Sequence, residues 1–147
     1  MKTSTIIKPQ KGAAAVELAV VISILVLLAV GVCEFGILFY NKQVLVNASR
    51  EGARAGTTRA DDCDETDEIC QIVLEYCDKR LVTFGSDVEP VLSLPDGPPA
   101  GKGFQEDFSI GVTYEHQFLA ASLFGLDSPR TLTAITLMKM EAPAPVL

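Results

Sequence analysis

Residues 13–40 read AAAVELAVVISILVLLAVGVCEFGILFY, a run without proline in which Glu17 and Glu34 are the only charged positions. As an α-helix these residues extend about 42 Å, whereas the hydrocarbon of a bilayer is about 30 Å thick. The expectation is a transmembrane helix over 13–40 that overshoots the membrane. A cleaved secretory signal competes with this reading, because Lys2, Lys8 and Lys11 precede the run. Its cleavage site is missing, however: VCEFGILFY stands where small residues should follow, and Val32 is too bulky for a lipoprotein-type site at Cys33. Glu17 is the anomaly, since a carboxylate in hydrocarbon costs several kcal/mol unless it is paired or stays near the interface.

Downstream, NKQVLVNASREGARAG (41–56) has no proline either, so the helix should continue to about Thr57. Ala48, Gly52 and Gly56 recur every four residues and form a stripe of small side chains. Such a stripe lets a second helix approach closely, or it packs on the protein's own small domain; the residues alone leave both open. Arg50 and Arg54 fall on another face, suited to headgroups, to carboxylates such as Glu51 of a neighbour, or simply to solvent. Glu34 lies about 25 Å along the helix from Glu17, near the outer interface. Lys42, an arginine of another subunit, water or the headgroups would satisfy it.

The rest of the chain is different in kind. The 147 residues are 48% hydrophobic yet carry a formal charge of −7, so apolar and acidic residues are segregated. DDCDETDE (61–68) alone holds six carboxylates. A net acidic exterior argues against nucleic acid as a partner, because phosphate binding needs clustered Lys and Arg on a net basic surface. A calcium loop would need a turn glycine and regular ligand offsets, which the acidic run lacks. Its acids read instead as solvation and as partners of a helix N-terminus.

That helix is expected in TDEICQIVLEYCDKRLVTFG (66–85), with Ile69, Val73, Tyr76 and Leu81 at helical spacing, Lys79 and Arg80 in the last turn and Gly85 as the stop. Cys63, Cys70 and Cys77 are disulfide candidates in an oxidising compartment. Cys70 and Cys77 on one helix stand about 10.5 Å apart along it, too far to bridge each other, so Cys63 is the partner expected for one of them. A zinc site from these cysteines and His116 is the less favoured alternative. From Val88 the period changes to two. VEPVLSL (88–94) reads as a short edge strand, DFSIGVTYEHQF (107–118) places Phe108, Ile110, Val112, Tyr114, His116 and Phe118 on one face, and RTLTAITLMKM (130–140) is a last strand. The fold class is therefore α+β: one long helix, one shorter helix and an antiparallel sheet of about three strands. The domain occupies 59–141, and 142–147 form a proline-broken tail.

No Gly-rich phosphate loop, Gly-x-Ser-x-Gly, His-Glu-x-x-His or CxxC occurs in the chain. His116, the one histidine, shares its strand face with apolar residues and reads as a packed sheet residue. NAS at Asn47 falls in helix near the membrane and is accidental. No catalytic residue, cofactor, metal or small-molecule substrate is expected.

The leader ending in Lys11-Gly12, followed by small and apolar residues with Glu17 five positions after the glycine, resembles a type IV prepilin signal. KGAAAVELAVV followed by EFGILFYNKQVLVNASREGARAG is similar to the TadE-like family of pseudopilins in Tad/Flp tight-adherence pilus systems, and IGVTYEHQF and RTLTAITLMKME are similar to that family's closing strands. Leu18 departs from the aromatic residue that pilins often carry there. The resemblance implies a bacterial inner-membrane protein, single-pass and amino-terminus inside, with its domain extracytoplasmic. It implies a leader over residues 1–12 that prepilin peptidase removes between Gly12 and Ala13, and partners among pilin-like subunits and the assembly machinery. Glu17, Glu34, Arg50, Arg54, Gly52 and Gly56 are the assembly candidates. Cleavage would free the amine of Ala13, which could pair with Glu17 only when subunits stack in register. With three lysines lost, the formal charge would move from −7 to about −10. The implied role is a minor pseudopilin or pilus assembly protein; the alternative is an uncleaved, single-pass anchor whose outer domain binds a partner.

Overall fold

The structure is a computed structural model that describes residues 11–58, 66–83, 88–99, 102–120 and 129–141. Cys63, the body of the expected leader and the tail from 142 lie outside the described residues. Helix α1 spans Lys11–Thr58, α2 spans Thr66–Asp78, and three strands follow: β1 Val91–Ser93, β2 Asp107–His116 and β3 Arg130–Lys139. The long helix, the shorter helix and the three strands expected from the sequence are all present.

Helix α1 runs for 48 residues, about 72 Å, and its two halves live in different surroundings. The first half is bare apolar surface. The second half buries one face, formed by Asn41, Val44, Leu45, Ala48, Ser49, Gly52, Ala53 and Gly56, a succession of three- and four-residue steps that keeps one stripe toward the domain.

The sheet has the order β1-β2-β3 with both pairs antiparallel, so the short strand 91–93 is indeed an edge. Pairing of β2 with β3 runs from Asp107 opposite Lys139 to His116 opposite Arg130. Alternation then sends Phe108, Ile110, Val112, Tyr114 and His116 to the face covered by α1 and leaves Ile135 and Leu137 of β3 outward. Helix α2 contributes Ile69, Val73 and Cys77, the i, i+4, i+8 positions of its inner face, to the same core. Cys77 is fully buried in that core, and its burial pushes the thiol up to about 11.

The second helix ends earlier than its sequence suggests. It stops at Asp78, so Lys79 and Arg80 lie in a turn closed by hydrogen bonds from the Arg80 and Leu81 N–H groups to the Cys77 carbonyl. The chain leaves the helix because Val82 is taken elsewhere: both its N–H and its carbonyl are bonded to the side chain of Asn41. The basic residues still work locally. Arg80 stacks 3.9 Å above the Tyr76 ring, and Lys79 pairs with Glu75, whose carboxyl is held below the usual range by that ammonium.

Candidate functional site

From Gly12 to Val30 every residue of α1 is exposed. Val16, Leu25, Val32 and Phe39 each show about two thirds of their surface (66%, 66%, 66% and 68%). Residues 12–57 form one helix long and apolar enough to cross a membrane. Twelve large aliphatic side chains between Val16 and Val32 are uncovered; at roughly 1.5–3 kcal/mol each, leaving them in water would cost tens of kcal/mol, more than a small domain's whole stability. Hydrocarbon would cover this segment, whose length and apolarity fit a membrane span. Its lone hydroxyl is harmless, because Ser23 Oγ donates to the Ala19 carbonyl at 2.8 Å. Glu17 lies on the exposed surface of this segment, one helical turn after Ala13.

Where the bare half meets the domain, polar groups fasten the helix at two levels. Glu34 Oε1 accepts the backbone N–H of Ala120 at 2.5 Å. Among the described residues its partner is therefore a backbone N–H at the base of its own domain. Lys42 is engaged instead with the Thr133 carbonyl of β3. Two helical turns above Glu34, the fully buried Asn41 amide donates to the Val82 carbonyl at 2.8 Å and accepts the Val82 N–H at 3.0 Å. Its nitrogen also lies 3.3 Å from His116 Nδ1. With the amide donating, Nδ1 is an acceptor, which fixes the neutral tautomer protonated on Nε2. His116 is 2% exposed and stands edge-on to Phe118, with ring centroids 5.3 Å apart at 84°. It is a packed sheet residue.

Burial lowers the His116 pKa, and Glu34 opposes that shift. The folded state therefore disfavours the proton that the unfolded chain accepts near 6.5. Stability contributed by this histidine is complete above pH 6.5 and is lost as pH falls through the folded-state value. The full chain in detergent should melt at lower temperature near pH 5 than at pH 7.5, and His116→Asn should flatten that part of the profile; an unchanged slope would place its origin in other groups.

The small-residue stripe is used within the subunit. A Cβ on Gly52 would stand 2.5 Å from Val73 Cγ2, and one on Gly56 would stand 2.3 Å from Phe108 Cε1. Of the two uses open to Gly52 and Gly56, packing on the protein's own domain is the one observed, because α2 and β2 already fill the space a second helix would need. Ser49 adds a hydroxyl bond to Thr136 at 2.7 Å. Arg50 is exposed, and Arg54 Nη2 lies 3.4 Å from Glu51 of the same helix, with side-chain exposures of 71% and 47%, so this pair contributes little to stability. Asn41 is the residue that reading the sequence missed. The signal was available, since positions 41, 45, 48, 52 and 56 continue one stripe, and an asparagine on it must bond to something when buried.

The structure thus separates the candidates into two groups. Glu17 lies on the bare half; Glu34, Gly52 and Gly56 hold the domain onto the helix. The family model described as TadE-like protein matches residues 12–54, which covers the whole bare half together with most of the docked half. The search of curated proteins and that of solved structures gave no significant match.

Proposed function

From the premise that residues 12–54 form a TadE-like segment, we propose that this chain is a minor pseudopilin of a Tad-type adhesion or secretion apparatus. In this reading it is anchored in the bacterial inner membrane with its α+β domain outside, is cleaved after Gly12 by prepilin peptidase, and joins other pilin-like subunits through the bare half of α1. The observation that carries the reading is the coincidence of the family match with a helix half that its own domain leaves uncovered. Residues 12–30 are exposed throughout, and Glu17 is the charged residue among them.

The mechanism follows from the cost of that charge. In the precursor, Glu17 stays near the inner headgroups with Lys11. After cleavage the Ala13 amine offers a partner, either on the same chain or on a neighbour stacked with matching axial offset. A subunit displaced along the helix axis leaves a carboxylate unpaired in hydrocarbon, at several kcal/mol. Glu17 thereby sets the register of assembly while the aliphatic residues around it supply affinity.

Glu17→Ala should leave the protein in the membrane with its domain folded but abolish or sharply reduce surface filaments, whereas Glu17→Asp should retain part of the function. Normal filament numbers in Glu17→Ala cells would favour an uncleaved anchor whose outer domain does the binding.

A further inference from the structure

We propose that the base of the domain, at Phe118 and Leu119, rests in the outer leaflet of the membrane, so that the domain contacts lipid directly instead of standing clear on a stalk. The proposal rests on α1 crossing the membrane, and it is independent of pilus assembly. Three observations place lipid at this level.

The first is axial distance. With Glu17 at the inner interface, Glu34 stands about 25 Å further along the helix, inside a hydrocarbon layer about 30 Å thick. Ala120 is bonded to the Glu34 carboxylate at 2.5 Å, and side chains on a helix lean toward its N-terminus, here toward the bilayer. The backbone at Ala120 is therefore held at or just below the outer hydrocarbon boundary.

The second is the distribution of aromatic residues. None occurs from Ala13 to Glu34, and then Phe35, Phe39 and Tyr40 follow within six positions, with exposures of 59%, 68% and 48%. Exposed aromatic side chains at the end of an apolar run mark the headgroup level of a spanning helix. Phe118 and Leu119 lie beside Ala120 and so share that level from the domain side.

The third is the chemistry of the base. Leu119 is 43% exposed, and the described residues from Gln117 to Ala120 carry no charge. The opposite end of the domain, where Asp107 pairs with Lys139, is charged. An end whose tip at Phe118 and Leu119 is apolar and is flanked by exposed Glu115 and Arg130 fits the acyl and headgroup boundary; the distal end, with its Asp107–Lys139 pair, fits water. A foot in lipid also explains what Glu34 does there: a carboxylate that accepts the Ala120 N–H satisfies a backbone donor which would otherwise be costly at this depth.

The chain has no tryptophan, so one introduced residue reports its own depth. Full-length Leu119→Trp, Leu27→Trp and Phe104→Trp are placed in vesicles of phosphatidylethanolamine and phosphatidylglycerol. The lipids are brominated either near the carbonyl end or near the methyl end of their acyl chains. Leu119→Trp should lose fluorescence chiefly to carbonyl-end bromine, Leu27→Trp chiefly to methyl-end bromine, and Phe104→Trp, 62% exposed at the distal end, to neither. Phe118→Trp, a ring for a ring on the same turn, should repeat the Leu119→Trp pattern and guards against misfolding of the first variant. Quenching of Leu27→Trp with none at positions 118 and 119 overturns the proposal and leaves the span intact. Absence of quenching at position 27 overturns both.

Discussion

Gly56→Leu unfolds the domain. A Cβ at this position would stand 2.3 Å from Phe108 Cε1 and 2.7 Å from its Cζ, and Phe108 is completely buried in the core, so the ring cannot simply turn into solvent. For Gly56→Ala two effects oppose each other. Helix propensity favours alanine by about 1 kcal/mol, whereas overpacking of a filled core costs typically 1–3 kcal/mol, and a contact this short belongs at the upper end. The net loss is about 1–2 kcal/mol for alanine. It exceeds roughly 3 kcal/mol for leucine, a large part of the stability of a small domain. Gly52→Ala should behave like Gly56→Ala, because the obstructing atom, Val73 Cγ2 at 2.5 Å, belongs to a β-branched side chain with a stiff first torsion. Gly31 and Gly36 provide the control on the same helix: a Cβ there meets nothing within 4 Å. Denaturant melts of the full chain in detergent should therefore rank Gly31→Ala and Gly36→Ala near wild type, Gly52→Ala and Gly56→Ala below it, and Gly56→Leu without a cooperative transition. A wild-type melt for Gly56→Leu would mean that the helix does not lie on β2 at this point.

Asn41→Ala should cost roughly 2–4 kcal/mol, since it removes about three hydrogen bonds and strands groups that lose their partners on folding. The affected groups are the Val82 N–H, the Val82 carbonyl and His116 Nδ1. Alanine is the better helix former, so local propensity would predict the opposite sign. The effect has a local signature: the Val82 amide should exchange with deuterium much faster in the variant, while amides in the middle of β2 keep their protection. Gln43→Ala, exposed and two residues further along the helix, should lie within about 0.5 kcal/mol of wild type. Equal melts for Asn41→Ala and Gln43→Ala would remove Asn41 from the fastening between helix and domain.

Much of this arrangement was readable in the sequence where a single physical period dominated. An uninterrupted apolar run gave the bare half of α1, and the alternation from Phe108 to Phe118 gave β2 with its inward face, His116 included. The small stripe at Ala48, Gly52 and Gly56 was equally visible, but close approach is the same requirement whether a foreign helix or the chain's own sheet does the approaching. Its direction is set by residues far along the chain, Val73 and Ile110 at Gly52 and Phe108 at Gly56. The end of α2 was missed for a related reason. Nothing between Asp78 and Leu81 breaks a helix; Val82 is captured by Asn41, 41 residues earlier. Glu34 found its partner 86 residues downstream, on a backbone N–H that no side-chain pattern announces. What the sequence did offer at Asn41 was a polar residue in step with a buried stripe.

The structure also narrows where an assembly surface can lie. Docking of residues 41–56 onto the sheet and α2 uses up the glycines, and Arg54 is occupied at least in part with Glu51. Among the described residues, the half of α1 that carries Glu17 stays open to neighbours, as does the outward face of the sheet at Ile135 and Leu137. Division of one helix into a bare half and a domain-facing half puts the residues that hold the fold and those the proposed assembly would use at different positions. Substitutions at Gly52, Gly56 and Asn41 should therefore act on folding, and Glu17 on assembly.

The amino-terminal mass of the protein extracted from membranes, with a prepilin peptidase co-expressed, tests the central claim most directly. A chain that begins at Ala13, with Glu17 as its fifth residue, is the predicted result; an intact Met1 under those conditions would contradict it.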